Sequence, residues 1–143
     1  MERRAFIKSS CNGCLLAASG LLLSRLAASC SPAFPVFKTE VINGEIQLPL
    51  TALGSSGFQI VRPKGWYYDI AVRKKEDASY EALLLKCTHQ DNQLTPSGSG
   101  YGCTLHGSQF DKDGRVTKGP AEHPLQSYTT TLTRDQLIIN IKA

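Results

Sequence analysis

The sequence predicts an all-β domain, a small antiparallel sandwich or barrel. Three observations carry this reading. Beyond residue 38, apolar and β-branched residues come in short runs of three to eight. Clusters of Gly, Pro, Asn and Asp break those runs at close intervals. No long helical periodicity follows residue 30. Many short strands with frequent turns are the pattern of such folds, and 143 residues suit one domain with one modest core.

Residues 1–29 read as an address. Arg3, Arg4 and Lys8 form a basic start, an apolar run follows from Leu15 to Leu23, and Leu26-Ala27-Ala28-Ser29 leads into Cys30. This is the three-part layout of an export signal. The string Arg3-Arg4-x-Phe6-Ile7-Lys8 resembles the twin-arginine signal, which implies export of a protein already folded around a cofactor. The small residues before Cys30 resemble a lipobox, which implies acylation of Cys30 and a lipid anchor on the outer, periplasmic face of a bacterial membrane. A transmembrane anchor is the weaker reading. A span needs ~20 apolar residues, and the sixteen between Lys8 and Arg25 include Ser9, Ser10 and Asn12. Cys11 and Cys14 form a Cys-x-x-Cys pair, but it falls inside the signal and reads as part of it.

Residues 30–38, with Pro32 and Pro35, suit a short extended tether. Residues 39–143 form the folded domain. The expected strands are Thr39–Asn43, Glu45–Leu48, Phe58–Val61, Trp66–Arg73, Ala82–Lys86, Arg115–Thr117, Ser127–Leu132 and Leu137–Ile141. Asn43-Gly44, Gly54 to Gly57, Pro63-Lys64-Gly65, Pro96 to Gly100, Asp113-Gly114 and Arg134-Asp135 punctuate them. Trp66-Tyr67-Tyr68 reads as a core or edge-strand cluster, and His123, beside Pro124, as part of an exposed loop.

Charge excludes one class of partner. The net +4 resides mostly in the first thirty residues; the rest carries +1. Nucleic-acid binding needs a basic stripe on the folded part. The only basic run there, Arg73-Lys74-Lys75, is followed at once by Glu76-Asp77. The five cysteines are odd in number and irregular in spacing, so they do not form a disulfide framework.

Two strings carry the chemistry: Cys87-Thr88-His89 and Cys103-Thr104-Leu105-His106-Gly107-Ser108. Each supplies one thiolate and one imidazole. The thirteen residues between them include Pro96, Gly98, Gly100 and Gly102, so the linker can form a hairpin that brings the strings together. Two thiolates with two imidazoles suit zinc or an iron–sulfur centre. A structural zinc finger commonly pairs like ligands in sequence. Here each string runs Cys then His, which permits both sulfurs to meet one metal and both imidazoles another. A binuclear cluster with unequal irons uses that division, and two His in place of two Cys raise its potential. A zinc-stabilised, non-redox module is the alternative.

Together these strings resemble the Rieske motif, C-x-H followed by C-x-x-H, and Gly119-Pro120-Ala121 with Pro124-Leu125 resembles the family's proline loop. The resemblance implies a Rieske-type sandwich or barrel with a cluster-binding subdomain of two loops, and one [2Fe–2S] cluster per chain. Cys87 and Cys103 would hold the buried iron, His89 and His106 the outer one. Gly107, Ser108, Phe110 and Pro120 would surround the cluster, with the Ser108 hydroxyl reaching a bridging sulfide. Three departures stand out from the respiratory pattern. Asn92 and Leu105 occupy the positions of two cysteines that form a disulfide there. Phe110 replaces a tyrosine that donates to the first cysteine sulfur, and the inter-motif linker is somewhat short. One donor kept and one lost imply a potential below that of the quinol-oxidising members. The implied function is electron transfer as an exported carrier or small subunit, with a cytochrome, a molybdoenzyme or a quinol-oxidising complex as partner. The alternative is the iron–sulfur subunit of a bc-type quinol–cytochrome c reductase. No mononuclear iron site or nucleophile triad is apparent, so the chain is not expected to be catalytic alone.

Overall fold

The computed structural model describes residues 34–142. Arg3, Arg4, Cys30, the signal segment and the first part of the tether lie outside the described residues. The described chain is all-β, with eleven strands: β1 Val36–Thr39, β2 Glu45–Pro49, β3 Phe58–Pro63, β4 Ile70–Lys74, β5 Tyr80–Leu84, β6 Thr95–Ser97, β7 Gly100–Gly102, β8 Gln109–Asp111, β9 Val116–Lys118, β10 Ser127–Leu132 and β11 Gln136–Asn140. They form a seven-stranded sheet, ordered β1-β3-β4-β5-β10-β11-β2, and a four-stranded sheet, β6-β7-β8-β9. Every pairing is antiparallel except that of β1 with β3.

Alternation explains the large sheet. In β2, Ile46 and Leu48 are buried and their neighbours exposed; in β11, Leu137 and Ile139 are buried. The register sets Leu137 opposite Leu48 and Ile139 opposite Ile46, so the four side chains meet on one face. They share a core with Val61, Ile70, Val72, Ala82 and Leu84 from β3, β4 and β5. Residues from both ends of the strand order thus enclose one interior, which requires the sheet to curl.

Strands β3, β4 and β5 are buried on both faces. Their alternate residues Ile60, Ala71 and Leu83 point away from the first core into a second. That second core also holds Leu85, Cys87, Leu94, Tyr101, Cys103, Phe110, Ala121 and Leu125, and it lies under the small sheet. Arg73, on β4, fastens the two layers. It donates to Glu81 at 2.8 Å and to Asp113, in the β8–β9 turn, at 2.6 Å. Burial lowers the affinity of Arg73 for its proton, but bonds to Glu81 and Asp113 outweigh this and hold its pKa above the ordinary value.

The structure departs from the expected elements in four places, the first being Thr39–Asn43, which is not a strand: only Thr39 belongs to β1, and Ile42 makes an isolated bridge to Glu45. Trp66–Asp69 is not strand; β4 begins at Ile70. A bidentate ion pair from Arg62 to the buried Asp69, 2.7 Å on each arm, closes residues 64–68 into a loop. Trp66 packs edge-on against Tyr128, whereas Tyr67 is exposed. Val36–Lys38, expected within the tether, pair with β3, and Gln59 Nε2 donates to the Pro35 carbonyl at 2.7 Å. Strands β6, β7 and β8 are not among the expected strands, although β6 and β7 form the hairpin expected between the two Cys/His strings.

Candidate functional site

The fold brings the two Cys/His strings together by simple means. Beyond β5 the period of two continues: Leu83, Leu85 and Cys87 all face the second core. The chain then turns back on itself. Leu94 N–H donates to the Leu85 carbonyl, and Cys87 N–H to the Asn92 carbonyl, each at 2.9 Å. His89 sits at the tip of this first loop. Its root is fixed to the large sheet, since Leu85 N–H donates to the Asp69 carbonyl at 2.8 Å and Asp69 N–H to the Gln93 side chain at 3.0 Å.

The β6–β7 hairpin carries the chain to the second string. Gly100 is needed there because a Cβ would collide with the Phe110 carbonyl of β8. Cys103 opens a tight loop between β7 and β8. Its N–H donates to the Ser108 carbonyl at 2.8 Å, and Gly107 N–H returns to the Cys103 carbonyl at 3.0 Å. Gly107 has φ of 78°, the left-handed region in which a side chain is strained. It allows the chain to reverse straight after His106.

The four side chains divide into an inner and an outer pair. Cys87 and Cys103 are 1% and 5% exposed. His89 and His106 are exposed, with ring centroids 5.3 Å apart and planes at 79°. Burial pushes the Cys103 thiol up, but the N–H groups of Leu105 and His106, the Asn92 amide and Cys87 outweigh it and leave the thiol below its ordinary value. The Asn92 Nδ2 to Cys103 Sγ distance is 3.5 Å. Backbone and amide N–H groups therefore lower the cost of forming the thiolate here. Among the described residues, no three His, Cys, Asp or Glu side chains converge as ligands of a single ion. Paired buried sulfurs and paired exposed imidazoles fit the donor set of a binuclear iron–sulfur centre.

A third segment clasps both loops. Thr88 Oγ1 donates to the His123 carbonyl at 2.6 Å, and Ala121 N–H donates to Ser108 Oγ at 3.0 Å. Ser108 is fully buried, and accepting from Ala121 leaves its own proton free to donate. Pro120 itself is exposed, after a cis bond from Gly119; Ala121 and Leu125 are the residues that enter the second core. The motif pointed to this segment, yet the contacts come from the Thr88 hydroxyl and from backbone groups of Ala121 and His123. The His123 ring is exposed. Phe110 is buried in the same core as both cysteines and has no polar atom to offer their sulfurs. Burial pushes the hydroxyl of Tyr101, the cross-strand partner of Phe110, up to about 12, while the charge of Arg73 pulls it down and those of Glu81 and Asp113 add to the rise. Leu105, beside His106, is 53% exposed.

Comparison with known proteins identifies the family. Residues 41–129 match the family model of the Rieske [2Fe–2S] domain. The chain is 30% identical over 112 residues to the Rieske subunit of the mitochondrial cytochrome b–c1 complex of Gallus gallus, covering 76% of this chain and 37% of that one. It is 33% identical over 70 residues to the cytochrome b6-f complex iron–sulfur subunit 1 of Synechocystis, covering 46% of this chain and 39% of that one. The match thus spans less than two fifths of either relative's length. Among solved structures, the plasma membrane Rieske protein of Synechocystis PCC 6803 superposes with a TM-score of 0.55 at 21% identity, over 66% of this chain and 97% of that one. That likeness concerns the fold.

Proposed function

This chain belongs to the Rieske [2Fe–2S] domain family, whose cluster it carries as an electron-transfer centre, and on that premise we propose that Cys87, His89, Cys103 and His106 are the ligands. The observation that carries the assignment is the division of the four into a buried sulfur pair and an exposed imidazole pair. Both sulfurs come from inside the second core, where the protein excludes water. Both rings stand at the surface, where an electron can pass to a partner. When bound, the cluster takes up and gives back one electron.

The surrounding residues prepare the site. N–H groups of Leu105 and His106 stabilise the Cys103 thiolate. Hydrogen bonds from Thr88 to His123 and from Ala121 to Ser108 hold the two loops at a common distance from the proline segment. Ser108 is placed to donate its hydroxyl toward the cluster, and Phe110, Gly107 and the 119–125 segment shape its surroundings. Residues 1–29 act as a twin-arginine export signal, with Arg3 and Arg4 as the recognised pair. Acylated Cys30 holds the folded domain, which includes β1, at the outer face of the membrane. Among the described residues no helix is long and apolar enough to cross a membrane.

The partner is a redox complex. The two curated relatives are named as subunits of cytochrome b–c1 and b6-f complexes, which favours a quinol-oxidising complex as the second reading. An exported carrier serving another redox enzyme is the first, because Asn92 and Leu105 stand where the respiratory pattern has cysteines. Purification from membranes decides between them: co-elution with a cytochrome b selects the complex subunit. The same preparation tests location. Arg3→Lys with Arg4→Lys should leave protein in the cytoplasm, and Cys30→Ala should abolish lipid labelling. Unchanged membrane partitioning of Cys30→Ala would overturn the lipid anchor.

A further inference from the structure

Asn92 touches both cysteines, Cys87 at its backbone and Cys103 at its sulfur. Its carbonyl accepts from Cys87 N–H at 2.9 Å, and its Nδ2 lies 3.5 Å from Cys103 Sγ, eleven residues away in sequence. Nδ2 also donates to the Gln93 carbonyl at 3.2 Å. A carbonyl oxygen and a thiolate are both acceptors, so only the NH2 group can face them; the orientation of the amide is set by its partners. The loop that presents Asn92 is itself anchored. The neighbouring Gln93 receives Asp69 N–H, and Asp91 pairs with Lys86 at 3.0 Å.

We propose that Asn92 brackets the two cysteines and, by donating to Cys103 Sγ, raises the midpoint potential of the centre. The inference rests on Cys87 and Cys103 being ligands. An added electron makes the ligand sulfurs more negative. A fixed donor therefore binds the reduced state more strongly than the oxidised one. Asn92→Leu removes the donor at nearly constant volume and keeps the backbone carbonyl for Cys87. The equilibrium constant for reduction should fall about fivefold, which is ~40 mV at about 59 mV per tenfold change. The sign separates tuning from loosening. Two thiolates and two neutral imidazoles leave the reduced centre with the larger net charge, so water entering a loosened loop would favour reduction and raise the potential.

Film voltammetry with EPR on the full protein tests this. Expected is an intact Rieske EPR signal in Asn92→Leu with a lower potential. An intact signal with an unchanged or higher potential overturns the proposal while leaving the ligand assignment standing. If the variant does not assemble its cluster, the wild type decides: reduced protein labelled with 15N-asparagine should show a weak 15N hyperfine coupling, and its absence overturns the proposal. Wild-type protein without a Rieske signal would instead overturn the ligand assignment itself.

Discussion

The core inside the seven-stranded sheet and the core on its other face are made differently. In the first, Ile46, Leu48, Leu137 and Ile139 alternate along five-residue strands and meet in register. Backbone ladders and aliphatic packing suffice there. In the second, Ile60, Ala71 and Leu83 of the large sheet face buried groups from three-residue strands and loops, two of which are Cys87 and Cys103. Few ladder bonds hold it, so the clasp from residues 119–125 and the metal supply the missing cross-links. On the proposed ligand assignment, one face of β3, β4 and β5 builds a self-sufficient scaffold and the other a site that its cofactor should help to order.

The largest effect should come from removing a sulfur ligand. Cys87→Ser or Cys103→Ser should abolish the Rieske EPR signal and the visible absorption of the cluster. Hydrogen exchange should then speed up across residues 87–125, while β2 and β11 keep their protection. Equal loss of protection in both regions would mean that the two cores fold as one unit. The converse cut is Ile139→Ala in the first core. Large-to-small changes at such sites cost about 3 kcal/mol, so global unfolding should move to lower denaturant while the midpoint potential stays where it was.

The join between the cores is tested by Arg73→Met. It leaves Glu81 and Asp113 side by side and half-buried without their cation, at a cost of about 2 kcal/mol. Exchange should rise first in the β8–β9 turn. The smallest change is Phe110→Tyr, which adds a phenol to the cysteine-bearing core. If the new hydroxyl donates to a ligand sulfur with ~1 kcal/mol of preference for the reduced state, the potential rises by roughly 40 mV. An unchanged potential with an intact cluster would show that residue 110 does not face a sulfur.

The same contrast decides what could be read before folding. The strands of the first core were legible because an apolar or β-branched run of several residues stands out between turn signals, and Glu45–Pro49, Phe58–Pro63, Ser127–Leu132 and Gln136–Asn140 are five or six residues long. Thr95–Ser97, Gly100–Gly102 and Gln109–Asp111 are too short to alternate. Pro96 and Gly100 in them read as breakers, although Gly100 is there for a close approach to β8. Trp66–Tyr68 has strand composition, but the Arg62–Asp69 pair across seven residues makes it a loop. The parallel pairing of Val36–Thr39 leaves no local mark. At the site, the Cys/His strings are contiguous and could be read directly. The amide of Asn92 and the hydroxyl of Thr88 act across eleven and thirty-five residues, and only the folded loops reveal them.

The assignment of His89 and His106 as metal ligands is the central claim, because it separates this centre from a four-sulfur cluster or a zinc module. Electron–nuclear double resonance on dithionite-reduced protein, uniformly labelled with 15N-histidine, tests it most directly. Two strongly coupled nitrogens are expected in the wild type, one from each ring, since His123 lies outside the ligand set. A spectrum with no strongly coupled histidine nitrogen, or one that persists unaltered in a His89→Cys variant that retains its cluster, would contradict the account.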